Sequence, residues 1–160
     1  MSMFWEAIHN SIHSVERVIP ARLFSRLHDY SAQRAYGRIA VCMVVTKGVF
    51  VLGVARRGTD SRWGLPGGWA AGGNLQKAAA RNLREETGIR VDFHELREIY
   101  RGFDDKVEVV TFYVDAPSIG NPQQCGAGRV SWLDWDQLLD GPFGAYNAEV
   151  KRAMDREASS

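Results

Sequence analysis

The chain has 160 residues, of which 45% are apolar and 24% are charged, and its formal net charge at pH 7 is +1. A chain of this size and composition can bury a hydrophobic core and suits one compact domain. The balanced charge offers no basic surface for nucleic acid or for an anionic membrane, so neither is expected as a partner. The two cysteines, Cys42 and Cys125, do not form a disulfide framework, and no secretory leader is apparent, so a cytoplasmic protein is expected.

The N-terminal part of the chain has a helical pattern. Apolar residues spaced three and four apart in residues 5–15 predict a first helix, which Pro20 interrupts, and a second short helix is expected to end near Tyr30. Residues 1–34 are therefore interpreted as a helical extension and residues 35–160 as the main domain. The apolar stripe of the extension would pack either on that domain or on a second copy of the chain, which leaves a homodimer open.

Strand patterns dominate the main domain. Runs rich in β-branched residues predict strands at residues 39–46, 49–54, 107–114 and 129–133, with one more between residues 89 and 101. Glycine and proline crowd residues 63–68 too densely for regular structure. Helices are predicted at residues 75–86, 135–139 and 146–158. Strands mixed with few helices predict a sandwich of the α/β or α+β class.

One segment of the main domain carries the candidate chemistry. Gly67 and Gly68 leave the backbone bare shortly before a helix for which Asn74 is a suitable N-cap and Gly88 a suitable end. Bare amides near a helix N-terminus are a natural place for phosphate oxygens. The glycines are therefore interpreted as a phosphate-binding turn, an interpretation that is compatible with a simple tight turn.

Three polar side chains share one face of the predicted helix, because Asn82, Glu85 and Glu86 stand at positions i, i+3 and i+4. Two adjacent carboxylates repel each other unless a cation neutralises them, and hard oxygen ligands suit Mg²⁺ or Mn²⁺. Arg81, one residue before this face, could clamp a carboxylate through a bidentate contact. The alternatives are a solvated helix end for the glutamates and a polar surface position for Asn82.

This stretch resembles the Nudix box, G-x5-E-x7-R-E-U-x-E-E-x-G-U, in which U is a bulky aliphatic residue. Residues 63–68 also resemble the family's usual approach to the box, and residues 130–138 resemble its last strand and the turn that follows. The resemblance covers about residues 38–140, most of the chain. The matching box positions are Gly67, Arg81, Leu83, Glu85, Glu86, Gly88 and Ile89.

The resemblance implies a mixed sheet between helices and an enzyme that uses Mg²⁺ or Mn²⁺ to cleave a nucleoside diphosphate linked to another group. The expected partner is therefore a small nucleotide-type molecule. In this chain the resemblance implies that Glu85 and Glu86 bind the metal and that Arg81 orients them. Arg57 follows a strand near the glycine turn, where it either meets a phosphate or lies in a solvated loop.

Two positions depart from the box. Gly73 stands where the first glutamate belongs, and Asn82 stands where the family has a glutamate that binds metal and often assists the attacking water. Asparagine can ligate through its carbonyl oxygen, but it brings no negative charge and cannot act as a base. These losses are expected to weaken metal binding and slow turnover. They leave two hypotheses open: a metal-dependent pyrophosphohydrolase, and a nucleotide-binding or regulatory module with little or no hydrolysis.

Glu108 is the preferred candidate for a substitute base. It alternates with Val110 and Phe112 on one face of a predicted strand, so its carboxylate faces either a pocket or a solvated edge of the sheet.

Overall fold

The structure is a computed structural model that describes residues 39–56, 62–70, 73–104, 107–115, 122–123 and 128–160. The predicted N-terminal extension and Arg57 lie outside the described residues. None of the helices within these ranges is long and apolar enough to span a bilayer. The strands are β1 (Ile39–Lys47), β2 (Phe50–Arg56), β3 (Gly67–Trp69), β4 (Arg97–Asp104), β5 (Val107–Asp115) and β6 (Gly128–Leu133), and the helices are α1 (Leu75–Thr87), α2 (Trp135–Leu139) and α3 (Gly144–Ala158).

The strands form one mixed sheet in the order β4-β5-β1-β2-β6, with β3 paired to β1 off this path. β1 runs parallel to β5, from Ile39 opposite Glu108 to Thr46 opposite Asp115. The other pairings are antiparallel. Parallel neighbours need a long connection between them, and the connection from β1 to β5 carries α1.

Helices cover both faces of the sheet. Along β1, Val41 and Met43 point to the face that packs against Leu83 of α1, whereas Val44 belongs to the opposite core with Val150 of α3. Because β1 is buried on both faces, its sequence is a nearly continuous apolar run rather than an alternating one. The prediction of a mixed sheet between helices is confirmed.

The prediction of irregular structure at residues 63–68 is wrong in part, because this segment enters the sheet between β1 and β2. Gly64 exchanges two backbone hydrogen bonds with Val54 of β2, of 2.8 and 3.0 Å. Pro66 O then accepts from the N–H of Met43 in β1 at 2.8 Å, and β3 continues the pairing with β1. The segment therefore passes from one strand to the other and brings the glycines into the sheet.

The glycines in this segment reflect a close approach of two backbones. A Cβ atom on Gly67 would collide with the backbone oxygen of Val41 in β1. Glycine is the residue that permits such an approach. The same residues therefore give a loop pattern in the sequence and a short strand in the structure.

Two other elements differ from their predicted bounds. The strand expected between residues 89 and 101 begins only at Arg97, because a 3₁₀ turn, Phe93–Glu95, comes first. Asp92 stabilises that turn by accepting a hydrogen bond from the N–H of His94 at 2.9 Å. The last helix begins at Gly144, two residues before its predicted start.

The ends of α1 are those predicted from its capping residues. The Asn74 side chain accepts from the N–H of Lys77 at 3.0 Å. Gly88 has a left-handed backbone with φ 72°, and its N–H donates to Arg84 O at 2.9 Å. These caps set where the helix begins and ends, and so place Glu85 and Glu86 in its last turn.

The Asn74 cap can be tested by substitution. We expect Asn74→Ala to lower the free energy of unfolding by about 1 kcal/mol, because the Lys77 N–H loses its side-chain acceptor. Urea denaturation followed by circular dichroism measures this difference. Asn74→Asp, which keeps a capping oxygen, should remain close to the original protein, and an equal loss in both variants would contradict a capping role.

Candidate metal and phosphate site

The C-terminal half of α1 contacts β3, and this contact forms the candidate site. Glu86 Oε2 accepts a 2.8 Å hydrogen bond from the backbone N–H of Gly67, a residue 19 positions earlier. Gly67, which is predicted to lie in a phosphate-binding turn but lies in β3, is therefore in direct contact with one of the two adjacent glutamates. The Gly67 N–H holds a carboxylate in this arrangement.

Glu85 and Glu86 are both half-buried at the end of the helix. One oxygen of the Glu85 carboxylate, Oε2, is shielded from solvent. Withdrawing a carboxylate oxygen from water costs free energy that a hydrogen bond or a cation can offset. Two neighbouring, partly buried carboxylates are hard oxygen donors, which fit a divalent cation of the Mg²⁺ type.

Within the part of the chain that the structure describes, no group of three His, Cys, Asp or Glu side chains is placed to hold a metal ion. Mg²⁺ is usually bound by one or two carboxylates together with water and substrate phosphates, rather than by a complete protein cage. The two glutamates therefore fit a cation that shares its ligands with a phosphate-bearing molecule.

Asn82 lies one helical turn before Glu86 and is only 8% exposed. Its Nδ2 is 3.4 Å from the backbone oxygen of Trp69 in β3. Gly68 lies directly opposite, since a Cβ atom placed there would be 3.2 Å from Nδ2. The alternative of a polar surface position is therefore wrong, and the Asn82 side chain faces β3.

Gly73 is an exposed residue with a left-handed backbone, φ 74°. A Cβ atom there would meet nothing within 4 Å, so space is not the reason for glycine. The left-handed conformation itself disfavours other residues. Gly73 therefore provides the left-handed residue that directly precedes the Asn74 N-cap of α1.

Glu108 lies near the start of β5 on the same face as Val110 and Phe112, as its alternation predicts. Its side chain is 28% exposed, and its Oε1 forms a 2.8 Å ion pair with Arg101 Nη1 of β4. Arg101 also donates to both carboxylate oxygens of Glu98, at 2.9 and 3.0 Å. Of the two predicted alternatives, the partly exposed position fits this geometry, and the carboxylate belongs to a three-residue ionic network.

Sequence reasoning did not find Arg101 as the partner of Glu108. The two residues lie on adjacent strands, in the register that runs from Tyr100 opposite Thr111 to Asp104 opposite Val107, and a register shift between Glu98 and Tyr100 puts Glu98 on the same face as Arg101. Charged residues on neighbouring predicted strands were the available signal, but the strand register and the shift that brings Glu98 to this face leave no local pattern.

The family of the chain follows from comparison with known proteins. A family model of the NUDIX domain matches residues 36–154. The chain belongs to the Nudix family. This result confirms the resemblance that residues 67–89 indicate.

Individual relatives agree with the Nudix assignment. A "MutT-like protein" of Streptomyces ambofaciens is 27% identical over 118 residues, which are 73% of this chain and 77% of the relative. An "Oxidized purine nucleoside triphosphate hydrolase" of Danio rerio is 29% identical over 105 residues, which are 62% of this chain and 67% of the relative. A MutT structure from a study of the Aliivibrio salmonicida and Vibrio cholerae proteins has a TM-score of 0.58 and 22% identity, and the match covers 73% of this chain and 96% of that chain. This structural likeness supports the Nudix fold.

Arg81 occupies the position of the Nudix arginine, but its side chain is exposed. Among the residues that the structure describes, it forms no ion pair with a carboxylate. Gly73, at the box position of the first glutamate, offers no carboxylate to it. The orienting role of Arg81 therefore stays a prediction, as does the phosphate contact of Arg57.

The ionic network around Arg101 can be tested by titration. The hydrogen bonds from Arg101 hold the pKa of Glu98 below its ordinary value. Arg101→Gln should therefore raise the pKa of Glu98 towards that value, which carboxyl carbon NMR measures. Arg152→Gln, which removes a similar pairing with Glu149 on α3, is the control and should leave Glu98 unchanged.

The sign of the accompanying pH effect follows from the lowered pKa. The Glu98 contribution to stability is present above the ordinary glutamate pKa and is lost as pH falls through the lowered value. It should be small because both side chains are exposed. An unchanged Glu98 pKa in Arg101→Gln would contradict the network.

Proposed function

We propose that the chain is a divalent-metal-dependent hydrolase that cleaves a diphosphate bridge in a small nucleotide-type molecule. The observation that carries this proposal is the contact between Gly67 and Glu86, which holds the Glu86 carboxylate against β3, while its half-buried neighbour Glu85 lies at the same end of α1. A cation bound by these carboxylates would then lie beside β3, where phosphate oxygens of a bound molecule could complete its ligands. Membership of the Nudix family supports the same reaction class.

Glu85 and Glu86 are the metal ligands in this proposal. Bound Mg²⁺ or Mn²⁺ would supply positive charge that stabilises the phosphoryl oxygens during cleavage. The protein's own part is positioning: the caps of α1 set the helix end that carries the carboxylates, and the Gly67 N–H holds the Glu86 carboxylate against β3. Since positioning and charge neutralisation supply most of the acceleration in phosphoryl transfer, two carboxylates can sustain a slower reaction.

The names of the relatives suggest the first compounds to test. The Danio rerio relative is named as a hydrolase of oxidized purine nucleoside triphosphates, and the Streptomyces relative as MutT-like. We therefore propose nucleoside triphosphates, including oxidized purines, as the first substrate class, with nucleotide sugars and dinucleotides as the comparison.

Glu108 stays our candidate for the group that accepts a proton from the attacking water. Its ion pair with Arg101 engages Oε1, so a proton would have to pass to the other carboxylate oxygen, or the ion pair would have to open. Comparison of Arg101→Gln, Glu108→Gln and the double variant separates the role of Glu108 as a base from its role in the ion pair. If Glu108 is the base, turnover should fall in Glu108→Gln and in the double variant but not in Arg101→Gln alone.

A nucleotide-binding module without hydrolysis is the second candidate. It is favoured by Asn82, which is turned towards Trp69 O, and by Gly73, which has no side chain, so two of the acidic positions of the box carry no charge. Calorimetry that detects nucleotide binding under conditions without product formation would support it over the hydrolase.

The hydrolase proposal predicts the effect of removing each ligand charge. Glu85→Gln and Glu86→Gln should each lower kcat/KM by about 100-fold or more, because each removes charge that holds a cation worth several kcal/mol to the transition state. Glu149→Gln on α3, remote from the site, is the matched control and should keep the original rate. Chelation of divalent cations should abolish turnover.

The measurement is product release from the compound panel, with and without Mg²⁺ or Mn²⁺. No product from any compound in the presence of either metal would overturn the hydrolase. If calorimetry on the same protein then showed nucleotide binding, the second candidate would stand.

A further inference from the structure

Asn82 and Glu86 contact the same short strand from successive turns of α1. Glu86 accepts from the N–H of Gly67 at the start of β3, whereas Asn82 donates to the carbonyl oxygen of Trp69 at its end. Residues four apart lie on one face of a helix, so the two contacts are made side by side. β3 has only three residues, and these two contacts cover its length.

The two contacts require opposite chemistry. The backbone group at Gly67 is a donor and meets a carboxylate, which only accepts. The backbone group at Trp69 is an acceptor and meets an amide, whose Nδ2 donates. A carboxylate at position 82 in the present arrangement would set a negative oxygen against the Trp69 carbonyl.

We propose that Asn82 is a positioning residue that, together with Glu86, fastens β3 to α1 at two points before any cation binds. This inference rests on the proposed function, in which Glu85 and Glu86 hold the cation. The Asn82 side chain is 8% exposed and lies against Gly68, so its contacts are with β3 and not with solvent. By fixing β3 along the helix, it keeps the Gly67 N–H in register with the Glu86 carboxylate.

A direct metal contact through Asn82 Oδ1 predicts the opposite response to one substitution. Asn82→Asp keeps the size of the side chain and replaces its donor with a negative oxygen. If Asn82 faced the cation, the added charge would tighten Mn²⁺ binding. Because Asn82 fastens β3, the substitution should loosen Mn²⁺ binding by about tenfold, the effect typical of a lost supporting contact.

Asn147 provides a matched control. It is 1% exposed, and its Nδ2 donates to Leu138 O at 3.3 Å on the opposite face of the sheet. Asn147→Asp therefore makes the same chemical change at a buried asparagine that serves structure alone. It should lower stability and leave Mn²⁺ affinity unchanged.

Gly68→Ala provides a second variant that alters no charge and no donor or acceptor side chain. The new Cβ would lie 3.2 Å from Asn82 Nδ2, so the amide would have to move by a few tenths of an ångström, which weakens a contact with the Trp69 oxygen that is already 3.4 Å long. It should loosen Mn²⁺ binding in the same direction as Asn82→Asp. If Asn82→Asp does not fold, Gly68→Ala decides the question.

The experiment measures Mn²⁺ affinity of the full chain by electron paramagnetic resonance, and hydrogen exchange at the Gly67 amide without metal. Looser Mn²⁺ binding in Asn82→Asp and Gly68→Ala, with faster Gly67 exchange than in Asn147→Asp, supports the proposal. Unchanged or tighter Mn²⁺ binding overturns it.

The exchange measurement separates this inference from the proposed function. If the original protein binds no Mn²⁺, the metal-dependent hydrolase fails, and hydrogen exchange alone tests the fastening. Faster Gly67 exchange in metal-free Asn82→Asp than in Asn147→Asp would then support the role of Asn82, and equal exchange would overturn it.

Discussion

The hydrogen bond from the Gly67 N–H to the Glu86 carboxylate is the interaction on which the site depends. This hydrogen bond forms only if β3 and α1 are both correctly placed, and three separate features of the fold place them. Glycine lets β3 approach the backbone of β1, the caps at Asn74 and Gly88 set where α1 begins and ends, and a buried face of α1 holds the helix on the sheet. Glu85, the residue before Glu86, is held at the same end of α1 by these features.

The two departures from the Nudix box coincide with local demands of this chain. Gly73 has a left-handed backbone that disfavours a glutamate, and it leads directly into the Asn74 cap. Asn82 presents a donor to a carbonyl oxygen where a glutamate would present another acceptor. Each residue that replaces an acidic residue of the box thus has a local structural role in this chain. The box positions that keep their acidic residues are Glu85 and Glu86, and two carboxylates suit a cation that draws further ligands from phosphate.

Local patterns in the sequence predict the parts of this fold whose causes are local. The caps of α1 follow from Asn74 and Gly88, and the apolar run of β1 follows from burial on both faces. β3 could not be predicted in this way, because it exists only through pairing with residues far earlier in the chain, from Cys42 opposite Gly67 to Ala40 opposite Trp69. The burial of Asn82 and the pairing of Glu108 with Arg101 also depend on contacts between elements. The shared helix face of Asn82, Glu85 and Glu86 is visible in the sequence, but what Asn82 faces on β3 is not.

The central claim is that Glu85 and Glu86 together hold a divalent cation beside β3. Anomalous diffraction from crystals soaked in Mn²⁺ measures this most directly, because the signal marks the metal itself. The account predicts an anomalous peak within ligand distance of oxygens from both carboxylates, on the side of α1 that meets β3. No peak beside these carboxylates, or a peak only elsewhere in the crystal, would contradict it.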